Sequence, residues 1–127
     1  MSNTEKNFYI VGKYTDGGDN SAWQDTGVSI PANTSVSLKA EGAVSAIYKQ
    51  DENCNYTGPG GSDPINPGAL VPTLNNIAAI GKIGDGEPFL IADAQTAHSG
   101  AGGNLQLACN DSYAKDNKGG YFVHYSF

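Results

Sequence analysis

The stretch "NLQLACNDSYAKDNKGGYFVHYSF", residues 104–127, decides the fold. Its first part places Leu105, Leu107 and Cys109 on one face. Its last part alternates again, with Tyr121, Val123, Tyr125 and Phe127 on one face and Phe122, His124 and Ser126 on the other. A period of two is the signature of a half-buried strand. Between the two strands stand Asn110, Asp111, Asp116 and Asn117, followed by Gly119 and Gly120 as the residues expected to turn the backbone sharply. The stretch therefore reads as two strands joined by a loop that collects four oxygen-bearing side chains.

Working outward, "FYIVGK" (8–13) reads as a first strand and "YTDGGDNSAWQD" (14–25) as a loop broken at Gly17-Gly18. "TGVSI", "PANTS" and "VSLKA" read as a hairpin, its second strand marked by Val36, Leu38 and Ala40 alternating with Ser37 and Lys39. "AVSAIYK" (43–49) reads as a further strand after Glu41-Gly42. The segment "QDENCNYTGPGGSDPINPG" (50–68) holds too much Pro and Gly for a helix or a central strand. It is longer than a connection requires, which is common in functional loops. In "PTLNNIAAIGKI" (72–83), Leu74, Ile77, Ala78 and Ile80 fit a helical stripe, but Gly81 and the β-branched isoleucines favour a strand. "NIAAIGKIG" and "EPFLIAD" then form a hairpin about Asp85-Gly86. "AQTAHSGAGG" reads as a loop. About eight short strands separated by turn signals define an all-β, antiparallel β-sandwich of jelly-roll type. No repeat or linker divides it, so residues 1–127 form a single domain.

Composition bounds the partners. Net charge is -6, the isoelectric point is about 4.5, and no Lys/Arg cluster occurs. Nucleic-acid backbones and anionic membrane surfaces both demand clustered cations, so neither is an expected partner. Uncharged polyols carry no such penalty. The N-terminus has no basic region followed by an apolar core, and no run approaches bilayer length. The expectation is cytoplasmic synthesis without membrane insertion, with release or export by a non-classical route left open. Cys54 lies in a polar loop and Cys109 in a strand, and whether they pair is open at this level.

The 110–120 loop has two readings. Asn, Asp and Gly are ordinary turn residues. Calcium, on the other hand, takes about six to eight oxygens from carboxylates, amides, carbonyls and water. Asp111, Asp116 and Asn117 sit close enough in sequence to supply several, with backbone carbonyls near Ala114 and Lys115 filling gaps. The spacing is not that of an EF-hand. "TDGGDN" (15–20) and "SDPIN" (62–66) are similar acid-amide clusters.

The order of parts resembles the PA-IL-like bacterial lectins, small calcium-dependent galactose-binding β-sandwiches. The features that carry the resemblance are the turn at "IPANTS", "AEGAVSA", the "GPGGSDPINPG" loop, "IAAIGKIG" and, last, "CND" with its acid-amide loop before "GGYF". The resemblance implies a galactose-binding-domain-like sandwich and no enzymatic activity. It implies a calcium ion held by the backbone carbonyl of Ala46, by Asp111, by a carbonyl near Lys115, and by Asp116 and Asn117. The sugar hydroxyls would coordinate that ion directly and meet Asp111, Ser112 and Asp116. The family's further sugar contacts are a His and a Gln in the central loop. Here that loop reads "SDPINPG", and Asp63, Asn66 or Gln50 stand nearest those roles. The resemblance also implies a homo-oligomer, a tetramer or dimer. The terminus "GYFVHYSF", with aromatics on both faces, is the expected subunit contact.

Other chemistry is sparse. The only histidines are His98 and His124, and no Gly-x-Ser-x-Gly elbow or phosphate loop is present. A hydrolase would have to use His98 with Asp93. The alternative to a lectin is a structural or adhesive sandwich module of a toxin or fibre assembly. Trp23 and the tyrosines suit sugar stacking, but an anchoring role for Trp23 is favoured.

Overall fold

The computed structural model describes residues 6–11, 23–45, 58–61, 70–75, 77–110 and 118–127. Within them run eight strands: β1 Lys6–Val11, β2 Gln24–Ile30, β3 Ser35–Ser45, β4 Ala79–Ile83, β5 Phe89–Leu90, β6 Ala94–His98, β7 Gly103–Cys109 and β8 Lys118–Ser126. They form two four-stranded sheets, ordered β1-β8-β3-β6 and β2-β7-β4-β5, and every described pairing is antiparallel. The expected all-β, antiparallel β-sandwich is the observed architecture.

The core lies between the sheets. Ile10, Val36, Leu38, Val44, Tyr121 and Val123 face Ile30, Leu105, Leu107 and Cys109, all essentially closed to solvent. Each large apolar side chain so buried contributes roughly 1.5–3 kcal/mol. β8 alternates as its sequence requires, with Tyr121, Val123 and Tyr125 inside and Phe122 outside. β4 does not alternate, because its second face is covered too. Ala78, Ile80 and Ala108 form a satellite cluster under Trp23, Leu70, Val71, Leu74 and Leu90. That double burial explains why "IAAIGKI" carried both helical and strand signals. The 72–83 segment is a turn region followed by a strand, not a helix.

Several sequence expectations need correction. Residues 26–40 are not a hairpin: β2 and β3 belong to different sheets, and the 31–34 turn crosses between them. The turn is held from a distance. Ser99 donates its hydroxyl to the Pro31 carbonyl at 2.6 Å and accepts the Thr34 N–H at 2.8 Å. Asn33, at φ 56°, donates its N–H to the Gly100 carbonyl. Second, 43–49 is not a separate strand at its start, since β3 runs unbroken through Gly42. Gly42 adopts φ +112°, and a Cβ there would meet the Gly120 carbonyl at 2.6 Å. Third, 94–103 is not all loop. Ala94–His98 is edge strand β6, paired to β3 from Ser35↔His98 to Lys39↔Ala94. Only Ala97 of its five residues is buried, so it carries no apolar alternation.

The turn assigned to Gly119 and Gly120 is also different, because both glycines lie inside β8. Gly120 is buried where a side chain would collide with the Ile10 carbonyl and the Tyr9 ring. The β4–β5 hairpin about 84–86 forms as expected, with Gly81 opposite Phe89. "GYFVHYSF", expected as a subunit contact, lies along β8 with β1 and β3 on either side, so its two edges are already paired.

Candidate functional site

One pole of the sandwich gathers the loops that the sequence marked. Ser45, the last residue of β3, is the register partner of Lys118, the first of β8. Val11 at the end of β1 pairs with Gly120, and Ala79 at the start of β4 pairs with Cys109 at the end of β7. Gln24 at the start of β2 pairs with Leu107. The connections 12–22, 46–57 and 111–117 therefore all leave from this pole. All three acid-amide clusters of the sequence attach to it, since Gly58–Gly61, which precedes the 62–69 segment, is tied to Tyr121, Asn75 and Ala79 there. The site residues named from the sequence, Ala46, Gln50, Asp63, Asp111, Ser112, Lys115, Asp116 and Asn117, lie outside the described residues.

What the structure describes is the frame, and its central piece is Asn110. The sequence groups Asn110 with the loop's oxygen donors. In the fold it is fully buried and turned inward. Its Oδ1 accepts the Val71 N–H at 2.7 Å. Its Nδ2 donates toward the carbonyls of Asn75 at 2.9 Å, Val71 at 3.0 Å and Leu74 at 3.2 Å. Its backbone N–H donates to Ala78 O at 2.9 Å, and its carbonyl accepts the Ile77 N–H at 2.6 Å. One amide thus clamps the 71–78 turn onto the end of β7, one residue before Asp111. No sequence pattern distinguishes such an asparagine from a turn asparagine.

Ile77 sits at φ 52°, a left-handed conformation that a β-branched residue enters only at a cost of about 1–3 kcal/mol. It is held there by Asn110 on one side and Tyr121 on the other. The Tyr121 hydroxyl lies 2.7 Å from Ile77 O and 3.0 Å from Gly58 O. Cys109 is buried beside it, with Sγ 3.6 Å from Ile77 O. Cys54 lies outside the described residues, so the question of a pair with Cys109 does too.

Burial, then the adjacent Cys109 thiol, push the Tyr121 hydroxyl far above the ordinary tyrosine range. The folded chain therefore favours the neutral phenol. That contribution is fully present below about pH 10, the value for an unfolded tyrosine, and is lost as pH rises above it. Melting temperature is expected to fall above about pH 10 in the native chain and to fall less in Tyr121→Phe, which lacks the ionisable group. Identical alkaline losses in the two proteins would contradict this role.

The remaining candidates separate clearly. Trp23 is half-buried against the satellite cluster, with Lys82 Nζ 4.8 Å from its ring centre, an anchoring position. His98 ends β6 at the opposite pole, beside a cavity of about 370 Å³ that Asp85, Glu87 and Phe89 also line. Its Nδ1 accepts the Gly100 N–H at 3.2 Å. Asp93 precedes β6, so the extended strand puts it roughly 16 Å from His98 at about 3.3 Å per residue. A His98–Asp93 hydrolytic pair is not assembled. Among the described residues, no three His, Cys, Asp or Glu side chains converge as a metal site.

No protein-family model matches this chain, and no curated protein matches it significantly. Among solved structures it is similar to the EclA N-terminal domain, described as a PllA-like lectin. The two share 22% identity over 95% of this chain and 92% of that one, with a TM-score of 0.64. The chain thus shares the β-sandwich fold of that domain.

Proposed function

We propose that this protein is a calcium-dependent carbohydrate-binding lectin of the PA-IL-like type, which takes galactoside-type ligands at the pole where β3, β7 and β8 meet. The observation that carries this reading is the register. Ser45 beside Lys118 sets the residue before Ala46 next to the residue after Asn117, and Asn110 anchors the chain just before Asp111. Ala46 and Asp111, 65 positions apart in sequence, would thereby be brought within reach of one ion. The shared fold with a solved lectin domain supports the same assignment.

In this reading Asp111, Asp116 and Asn117 supply side-chain oxygens, and Ala46 and Lys115 supply carbonyls. Two carboxylates in one small loop repel each other unless a cation sits between them, which fits a hard divalent ion. Two vicinal sugar hydroxyls complete the coordination. Asp111, Ser112 and Asp116 hydrogen-bond those hydroxyls, and charge-assisted bonds to carboxylate are roughly twice as strong as neutral ones. Asp63 and Gln50 take the outer contacts. The absence of any histidine from residues 50–68 leaves recognition centred on the diol and predicts broad acceptance among galactosides. Assembly into a homo-oligomer would convert weak single-site binding into avidity.

The test is a glycan array probed with calcium and again with chelator. Galactoside-type spots are expected to bind with calcium and to lose nearly all signal in chelator. Binding that survives chelation at those spots would overturn the calcium mechanism. An array blank under both conditions would favour the structural or adhesive module.

A further inference from the structure

We propose that the outer face of the β1-β8-β3-β6 sheet is a second, calcium-independent carbohydrate surface. It stacks a neutral oligosaccharide on Phe122 and Tyr9 and hydrogen-bonds it through Glu41, Lys39 and His124.

The register builds this face row by row. Tyr9 of β1, Phe122 of β8 and Glu41 of β3 stand opposite one another. Two residues along, Asn7, His124, Lys39 and Ala94 form the next row on the same side. Tyr9 and Phe122 are the exposed large hydrophobic residues of the described chain, at 49% and 36%. Their ring centres are 6.4 Å apart. Phe122 meets the His124 ring edge-on at 4.9 Å, and His124 Nε2 lies 3.2 Å from a Glu41 carboxylate oxygen. Beside them a hollow of about 360 Å³ is lined by Lys39, Ala40, Glu41, Asp93 and His124.

That combination selects the ligand. Exposed aromatic rings take the apolar C–H face of a sugar, and a mixed polar fringe takes hydroxyls, which both donate and accept. Two carboxylates against one lysine leave no cationic excess for a phosphate or sulfate. A second copy of the chain is the competing occupant, and area argues against it. An aromatic side chain buries about 150–250 Å² in all, so two rings at these exposures offer on the order of 200 Å². A stable interface needs about 800 Å² from each partner. The patch fits one or two sugar rings. None of its residues is among those the calcium reading uses.

The experiment uses the full chain, isotope-labelled, in chelator so that the calcium site is silent. Cellotetraose is the probe, because its equatorial substituents leave both ring faces bare, and it is titrated into the millimolar range. Amide shifts are expected at Tyr9, Phe122, His124 and Lys39, and Phe122→Ala should weaken the affinity about tenfold while leaving the melting temperature nearly unchanged. Glu41→Gln should weaken it less. Absence of shifts on this face, or shifts confined to other residues, would overturn the proposal. So would shifts that depend on protein concentration without sugar, with a dimer in sedimentation, which would assign the face to a second copy.

Discussion

Asn110→Ala is expected to destabilise the fold by about 3–5 kcal/mol, measured by urea unfolding, a large share of the stability of a small domain. The side chain accepts one N–H and shares its two N–H donors among three carbonyls of the 71–75 turn. Alanine leaves those groups without their partner at a site closed to solvent. An unsatisfied buried polar group costs about 1–3 kcal/mol, and water entering the vacated space recovers part of it. The bond from the Ile77 N–H to the Asn110 backbone carbonyl survives the substitution, so the loss is read from the side-chain amide alone. Asn110→Asp keeps one acceptor but removes both donors and buries a charge, so it is expected to cost at least as much. A loss below about 1 kcal/mol for either variant would show that the turn does not depend on this amide.

Asp111→Ala is expected to do the opposite: little change in the chelated protein, and loss of calcium and sugar affinity by more than about a hundredfold. Changes in the shell behind a metal's ligands already cost about 10–100-fold, so loss of a carboxylate ligand that also meets the sugar should exceed that. The two variants would separate frame from site: Asn110→Ala is expected to act on folding whether or not calcium is present, and Asp111→Ala only through the proposed ligand.

Much of the fold was legible because burial imposed it on the sequence. β7 and β8 each bury one face, so Leu105, Leu107 and Cys109, and then Tyr121, Val123 and Tyr125, had to fall two apart. β6 was not legible, because an edge strand with Ala97 alone buried is under no such constraint. The 31–34 turn was misread as a hairpin because a tight turn within a sheet and a tight turn between sheets need the same residues. What decides between them is Ser99, 65 residues away from Thr34. Glu41-Gly42 looked like a break because glycine usually is one. Here Gly42 lets β3 and β8 approach closely beside Tyr121.

The candidate site divides the same way. Its position at one pole follows from strand order, which the alternating segments already constrained. Asp111, Asp116 and Asn117 were candidates on residue type and spacing and Ala46 on the resemblance, and all lie outside the described residues. Asn110 was grouped with the loop's oxygen donors on residue type, because sequence does not reveal which way an amide points. The same limit hid the outer face of the first sheet. Tyr9, Phe122, Glu41 and His124 become neighbours only through a register that joins three strands.

The most direct test of the calcium pole is the melting temperature of the native chain and of Asp111→Ala, each in chelator and in millimolar calcium. A ligand that binds only the folded state at a hundred times its dissociation constant adds about 2.7 kcal/mol. For a domain of this size that is a rise of roughly 10 °C. The account predicts that rise in the native chain and none in Asp111→Ala. A native melting temperature indifferent to calcium, or a rise that Asp111→Ala retains, would contradict it.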